Sequence, residues 1–292
     1  MQALQFFLNS LPYEAFAVLV ALLGVVVGSF LNVVIVRLPV IMHREEQRFV
    51  LEANNQAVSD ELSGTYTLLK PASHCPQCKS TVRWWMNIPL LSYLLLRGRC
   101  ASCKLRISAQ YPIVELACSA AAVLAVVHFG VTVKACAAML LLWALITLTV
   151  IDLNTQLLPD VITLPIMWAG LLFNTQALFV PLSSAVWGAV LGYLSLWSVY
   201  QVFKLITGKD GMGYGDFKLL AALGAWLGVG MLLPMILFSS LAGAAVGLAL
   251  IALKRRDLTD AIPFGPYLAA GGVLALFYGH QIMGWYLGMF VA

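Results

Sequence analysis

The chain has 292 residues, of which 61% are hydrophobic and only 10% charged, with a formal net charge of +4. Soluble domains carry about 25% charged residues and the mean hydropathy here is +0.90, so a water-soluble globular fold is excluded. The apolar runs are continuous and rich in Leu, Ala, Val and Gly, without the period-2 alternation of a transmembrane β-barrel, which leaves helices.

The first apolar run extends from Glu14 to about Arg37 and passes through Gly28-Ser29-Phe30-Leu31-Asn32. No Lys or Arg precedes Arg37, and the run is longer than a signal-peptide core, so it reads as a retained anchor. From Pro39 to Gln110 the sequence turns polar, with nine Lys/Arg against five Asp/Glu, while the remainder of the chain balances at eight against eight. Basic residues of this segment, such as Arg83, Arg97, Arg99, Lys104 and Arg106, suit anionic lipid headgroups. A nucleic-acid partner is not expected.

This polar segment holds Cys75-Pro76-Gln77-Cys78 and Cys100-Ala101-Ser102-Cys103, separated by 21 residues. Two such knuckles can surround a tetrahedral Zn²⁺ with four thiolates, and a bound metal lets a small polar insert hold its shape without a large core. Two disulfides are disfavoured for a segment in a reducing compartment, and a redox motif lacks its βαβ context. Cys118 and Cys136 lie inside apolar runs and read as small core residues.

Further spans are expected at about Pro112 to Gly130, Ala135 to Ile151, Leu157 to Val180 and Ser184 to Ile206. The apolar stretch from about Phe217 to Leu253 is too long for one crossing of about 20 residues, and Gly228-Val229-Gly230 is placed to split it. A last span fills about Phe264 to Phe290. The expectation is an all-α polytopic membrane protein of about eight helices. Its parts are a first helix at 1–38, a cytoplasmic tetracysteine domain at 39–110, and a seven-helix membrane domain at 111–292. With the polar domain in the cytoplasm, sixteen of the seventeen basic residues, including Lys254-Arg255-Arg256, fall inside and both termini fall outside.

That alternation also brings two acids to the cytoplasmic side. Asp152 ends the run Leu148-Thr149-Val150-Ile151, and Asp216 follows the glycine-dense turn Gly211-Met212-Gly213-Tyr214-Gly215. Ionisable groups at membrane depth are costly and mark functional sites. Two neighbouring carboxylates share a proton, so one serves as general base on water while the other protonates the carbonyl oxygen or leaving amine. Gly213 and Gly215 would let a substrate backbone approach. Asp160 is the competing partner for the pair, although its place after Pro159 also suits a helix start. An aspartic protease, an intramembrane protease of the presenilin type and an ion-coupled transporter with an Asp pair all remain open on these residues alone.

The chain resembles the type IV prepilin peptidases, bifunctional leader peptidases and N-methyltransferases of bacterial inner membranes. The likeness is carried by Gly28–Val34, Ser73–Cys78, Asn87–Tyr93, Arg97–Cys103, Tyr111–Leu116, Asp152 with Leu158–Pro165, and Gly211–Leu219. The resemblance implies a Gly-x-Gly-Asp aspartic peptidase with Asp152 and Asp216 as its catalytic pair. Its substrates would be type IV prepilins and type II secretion pseudopilins, cut after the glycine that ends a basic leader. The new N-terminal residue, usually Phe, would then be methylated by S-adenosylmethionine. Gly98 and Arg99 stand where the family's methyltransferase-linked Gly-Lys/Arg pair lies. Glu115, Asp160 and Asp210 are the acids expected to meet a basic leader.

Overall fold

The computed structural model describes residues 13–57, 62, 64–75, 77–253 and 262–291. Eight long helices account for most of them: α1 Tyr13–Ala53, α2 Gln110–Phe129, α3 Val133–Thr155, α4 Asp160–Asn174, α5 Leu182–Thr207, α6 Tyr214–Leu227, α7 Leu232–Ala252 and α8 Gly265–Val291. Among the described residues there are no strands, only isolated bridges at His74–Thr81 and Arg99–Arg106. Among the described residues, five helices are long and apolar enough to cross a bilayer: α1, α2, α3, α5, and α7 with the short turn before it. Lys254-Arg255-Arg256 lie outside the described residues.

The chain divides after Val131 into two compact units. Within the first unit α2 packs on α1. Two glycines one helical turn apart permit this. A Cβ at Gly24 would lie 2.6 Å from Ser119 Cα, and one at Gly28 would lie 2.7 Å from Glu115 Cα. Such close backbone approach is how helices associate where lipid removes the hydrophobic drive. Ser119 Oγ adds a hydrogen bond to the Ala21 carbonyl at 3.0 Å.

The first helix was expected to end near Arg37, yet it runs on through Pro39 to Ala53. Proline removes only one ladder donor, and arginines on the extension supply other bonds. Arg37 Nη1 donates to the Thr67 and Leu68 carbonyls at 3.1 and 3.2 Å, and Arg48 Nη2 donates to those of Gly64 (3.1 Å) and Leu62. The Arg37 and Arg44 guanidinium groups also lie over the Tyr66 ring. The extension thus holds the returning segment 62–68.

In the second unit α6 is central. From Asp216 to Leu227 every residue except Lys218 is buried, with α4, α5 and α8 packed around it. That explains how a 14-residue helix serves: protein, not lipid, surrounds it. Gly188 of α5 meets Gly224 of α6 so closely that a Cβ on either would fall 2.2 Å from the other's carbonyl oxygen. The expected break is found, since α6 ends at Gly228, whose φ of 81° is a left-handed conformation.

The far end of α6 is closed by a residue the sequence did not single out. Asn174, fully buried, donates through Nδ2 to the Ala225 and Trp226 carbonyls at 2.9 and 3.1 Å. Its Oδ1 accepts the Phe179 and Val180 N–H groups at 3.0 and 3.2 Å. The carbonyls in the last turn of a helix lack internal partners, and in an apolar surrounding leaving them bare costs about 1–3 kcal/mol each. Trp226 Nε1 adds a bond to the Ile166 carbonyl at 2.7 Å, fixing α4 to α6.

Candidate active site

Asp152 lies in the last turn of α3, whose end is set by Gln156 in the left-handed region. Its side chain is 4% exposed, and Oδ2 accepts the N–H of Gly265 at 2.9 Å. Gly265 opens α8, so this amide is one of the donors that a helix start leaves without an internal partner. A Cβ at Gly265 would sit 2.6 Å from Asp152 Oδ2, so only glycine lets the amide come this close.

Asp216 occupies the first turn of α6 and is 7% exposed, with its N–H donated to the Gly213 carbonyl at 3.2 Å. Its buried Oδ1 has no hydrogen-bond partner among the described residues. Leu158, in the link between α3 and α4, packs against the segment that carries Asp216 and against Gly265, whose N–H holds Asp152. A Cβ at Gly215 would be 2.6 Å from Leu158 Cβ, and one at Gly265 would be 3.2 Å from Leu158 Cδ2. Three distant stretches of sequence (152–158, 213–216 and 265) therefore meet around one leucine.

The flanking glycines differ in role. Gly215 lies against Leu158, where a Cβ would have no room. Gly213 is freer, with only Asp216 Oδ2 at 3.9 Å from where a Cβ would stand.

The acids expected to receive a basic leader are already engaged. Both oxygens of Asp160 accept Lys218 Nζ, at 2.8 and 2.7 Å, joining the N-terminal ends of α4 and α6. Asp210 Oδ1 accepts Lys204 Nζ at 2.8 Å and the Tyr200 hydroxyl at 2.5 Å. The hydrogen bond from Lys204 holds its carboxyl below the usual carboxylate range. Glu115 is buried, and Oε2 accepts the Leu90 N–H at 2.8 Å. It fastens a loop of its own unit. Local charge counting missed the cations, because the partners are 58 residues apart for Asp160 and Lys218.

In the first unit the two knuckles are built alike. The Cys75 N–H bonds to the Ser80 carbonyl and Lys79 N–H to that of Cys75 (both 3.0 Å); Cys100 to Leu105 and Lys104 to Cys100 repeat this at 2.8 and 3.1 Å. Lys79 and Lys104 both take positive φ, 57° and 62°. The four Sγ atoms all lie within 4.8 Å of one another, with Cys75–Cys103 at 3.7 Å and Cys78–Cys100 at 4.0 Å. A tetrahedron with metal–sulfur bonds of about 2.3 Å has edges of about 3.8 Å, so the cluster has the dimensions of a metal site and not of two disulfides. The Ser80 hydroxyl, 3.0 Å from Cys78 Sγ, holds that thiol down at about 6. Cys118 is fully buried, as a core residue should be, while Cys136 is exposed on the protein surface.

Gly98 precedes the second knuckle with φ +63°, and a Cβ there would lie 2.9 Å from the Tyr93 hydroxyl. Arg99 pairs with Arg106 in the second bridge. The need for glycine at 98 is thus explained by the turn and by Tyr93.

Residues 22–129 match the family model described as the Bacterial Peptidase A24 N-terminal domain, and residues 139–248 match the Type IV leader peptidase family. The chain is 49% identical over 281 residues, 96% of each chain, to a prepilin leader peptidase/N-methyltransferase of Stutzerimonas stutzeri. It is 50% identical over 273 residues, 94% of each chain, to the protein of that description in Pseudomonas aeruginosa, and 49% identical over 286 residues, 97% of each, to one in Aeromonas hydrophila. No solved structure matched the chain. The protein belongs to the type IV leader peptidase family.

Proposed function

We propose that this protein removes the leader peptide from type IV prepilins and type II secretion pseudopilins and then N-methylates the residue exposed, with Asp152 and Asp216 as the hydrolytic pair. The observation that carries the reading is the meeting of these two buried acids, 64 positions apart in sequence, around Leu158 and Gly265. The Gly265 N–H fixes one oxygen of Asp152, leaving the other oxygen to act. Asp216 offers its unpartnered Oδ1. Between them a water molecule is activated by the ionised acid as general base, and the protonated acid delivers its proton to the leaving amine. Gly213 is the glycine beside which an extended substrate backbone can pass.

The four cysteines would hold a structural Zn²⁺, since an all-thiolate tetrahedral set suits that ion. S-adenosylmethionine supplies the methyl group, and the turn at Gly98 and Arg99 belongs to the methyl-transfer half. The protein resides in the bacterial inner membrane with the acids and cysteines facing the cytoplasm and both termini in the periplasm. A prepilin has a basic leader in the cytosol and an apolar helix in the bilayer, so its scissile bond comes to the inner interface. Basic side chains of the cysteine domain rest against anionic headgroups.

Co-expression with a prepilin, followed by mass spectrometry of the pilin N-terminus, tests both activities together. The wild type should yield a chain cut after glycine and heavier by one methyl group. Asp152→Asn and Asp216→Asn should each abolish cleavage while retaining the helical fold. Full cleavage by either variant eliminates the reading.

A further inference from the structure

The first unit contains a second set of buried polar groups that hydrolysis does not use. Asn32 of α1 is 2% exposed; its Nδ2 donates to the Tyr111 carbonyl at 3.0 Å, and its Oδ1 is buried with no partner among the described residues. Gly28, one turn earlier on the same face of α1, brings the α1 backbone against Glu115. Glu115 is 6% exposed, and its carboxylate accepts the Leu90 N–H and a hydrogen bond from Ser29. Ser29 and Asn32 are three residues apart on α1, and Tyr111 and Glu115 are four apart on α2, so these groups share one seam.

The Ser29 hydroxyl already donates to Glu115, and the oxygens that remain, Asn32 Oδ1 and the Glu115 carboxylate, can only accept. An amide oxygen buried without a donor is costly, and a carboxylate at this depth more so. A carboxylate or phosphate ligand would add acceptors to acceptors. A dehydrated hard metal ion needs six or more oxygens, more than the seam supplies. An ammonium brings three donors and one positive charge, which answers both the orphan oxygen and the carboxylate. We infer that Asn32 and Glu115 form a subsite for an α-ammonium group.

This inference rests on the proposed methyl transfer, in which both reactants carry such a group: the newly exposed N-terminus of the cleaved chain and the methionine part of the methyl donor. The seam is joined to the methyl-transfer loop by a hydrogen bond and a short stretch of chain. Leu90, which gives its N–H to Glu115, stands at φ 57°, and the helical turn Leu91–Leu95 beyond it carries the Tyr93 ring packed on Gly98.

Equilibrium binding to the full-length protein in nanodiscs tests it with two pairs of probes. One pair is a peptide with a free N-terminal Phe and its N-acetyl form; the other is S-adenosylhomocysteine and its analogue lacking the α-amino group. In the wild type, loss of the amine should weaken one pair roughly tenfold or more, the scale of a charged hydrogen bond. The affected pair tells which α-amine is held. Asn32→Leu and Glu115→Gln should erase that discrimination, while Asn32→Asp, which retains an acceptor, should keep it. Glu115→Gln also keeps an acceptor for Leu90 and so removes the charge without freeing the loop. The proposal is overturned if the wild type binds both members of both pairs alike, or if Asn32→Leu and Glu115→Gln discriminate as the wild type does. A wild type that binds amines in this way but neither cleaves nor methylates a prepilin overturns the proposed function and leaves the ammonium subsite standing.

Discussion

Cys75 and Cys100 each stand three residues before their partner cysteine, and each is followed by the same turn, closed by the same two backbone hydrogen bonds. Everything that shapes one knuckle lies within about eight residues of it. Asp152 and Asp216 have no such local frame. The first is at the end of a helix, the second at the start of another, and the amide that holds Asp152 comes from Gly265, 113 residues away. The cysteine cluster is assembled from two prefabricated turns; the acid site exists only once three separated segments have packed. A site of the first kind depends on its ligand to hold the turns together. A site of the second kind depends on close packing, and a single added methyl group can break it.

Removing either carboxylate gives the largest effect on that contrast. Asp152→Asn or Asp216→Asn should lower the rate of leader removal by about 10²–10⁴ or beyond detection, measured on a purified prepilin with the fold checked by circular dichroism. The same substitutions should leave metal content unaltered, since the cysteines belong to the other unit.

Metal removal tests the other side. Chelation should release about one zinc ion per chain and make residues 64–108 the preferred site of limited proteolysis. Structural zinc contributes about 10–16 kcal/mol to small domains that depend on it. Cys75→Ser or Cys103→Ser should reproduce that sensitivity without chelator. If the segment resists protease in both cases, the turns stand without metal and the two sites do not differ in what holds them.

Gly265→Ala sharpens the comparison by adding one methyl group where a Cβ would meet Asp152 Oδ2 at 2.6 Å. A displacement of about 1 Å at a reacting group can cost roughly 10²-fold. The expected result is a fall in cleavage rate of about 10- to 100-fold with the melting temperature little changed. Gly213→Ala, in more open space, should cost less. Equal effects from the two would show that the tight approach at Gly265 has no special importance.

The smallest effect belongs to Asp210. Its folded-state pKa is held below the unfolded value by Lys204, so the stability it adds is present above the unfolded carboxylate value of about 3.9 and is lost as pH falls through the lower folded value. The melting temperature of the wild type minus that of Asp210→Asn should therefore be positive but slight at pH 7 and shrink towards zero in that acid range. Exposed ion pairs rarely do more.

Much of this was legible in the residues. Continuous apolar runs, the Gly228-Val229-Gly230 break and the cysteine spacing all act over one or two turns of chain, where hydrogen-bond periodicity and turn chemistry dominate, and the structure follows them. The helix through Pro39 was misread because a proline and a polar sequence usually end a membrane helix. Here the arginines of the extension bind carbonyls of segment 62–68, a contact no local rule contains. The partners of the three acids are hidden from the sequence in a similar way: Lys218, Lys204 and the Leu90 amide reach Asp160, Asp210 and Glu115 only after folding.

The amino-acid order by itself determined that this is a helical membrane protein with two cysteine knuckles and two acids at helix ends, because hydrophobic length and short-range spacing are properties of the unfolded chain as well. Packing alone decided that α6 is a central helix shielded from lipid, that Asn174 closes its end, and that Gly265 and Leu158 bring the segments of the two acids together. Those outcomes require backbones to approach within van der Waals contact across distant segments, and distance along the chain carries no record of distance in space.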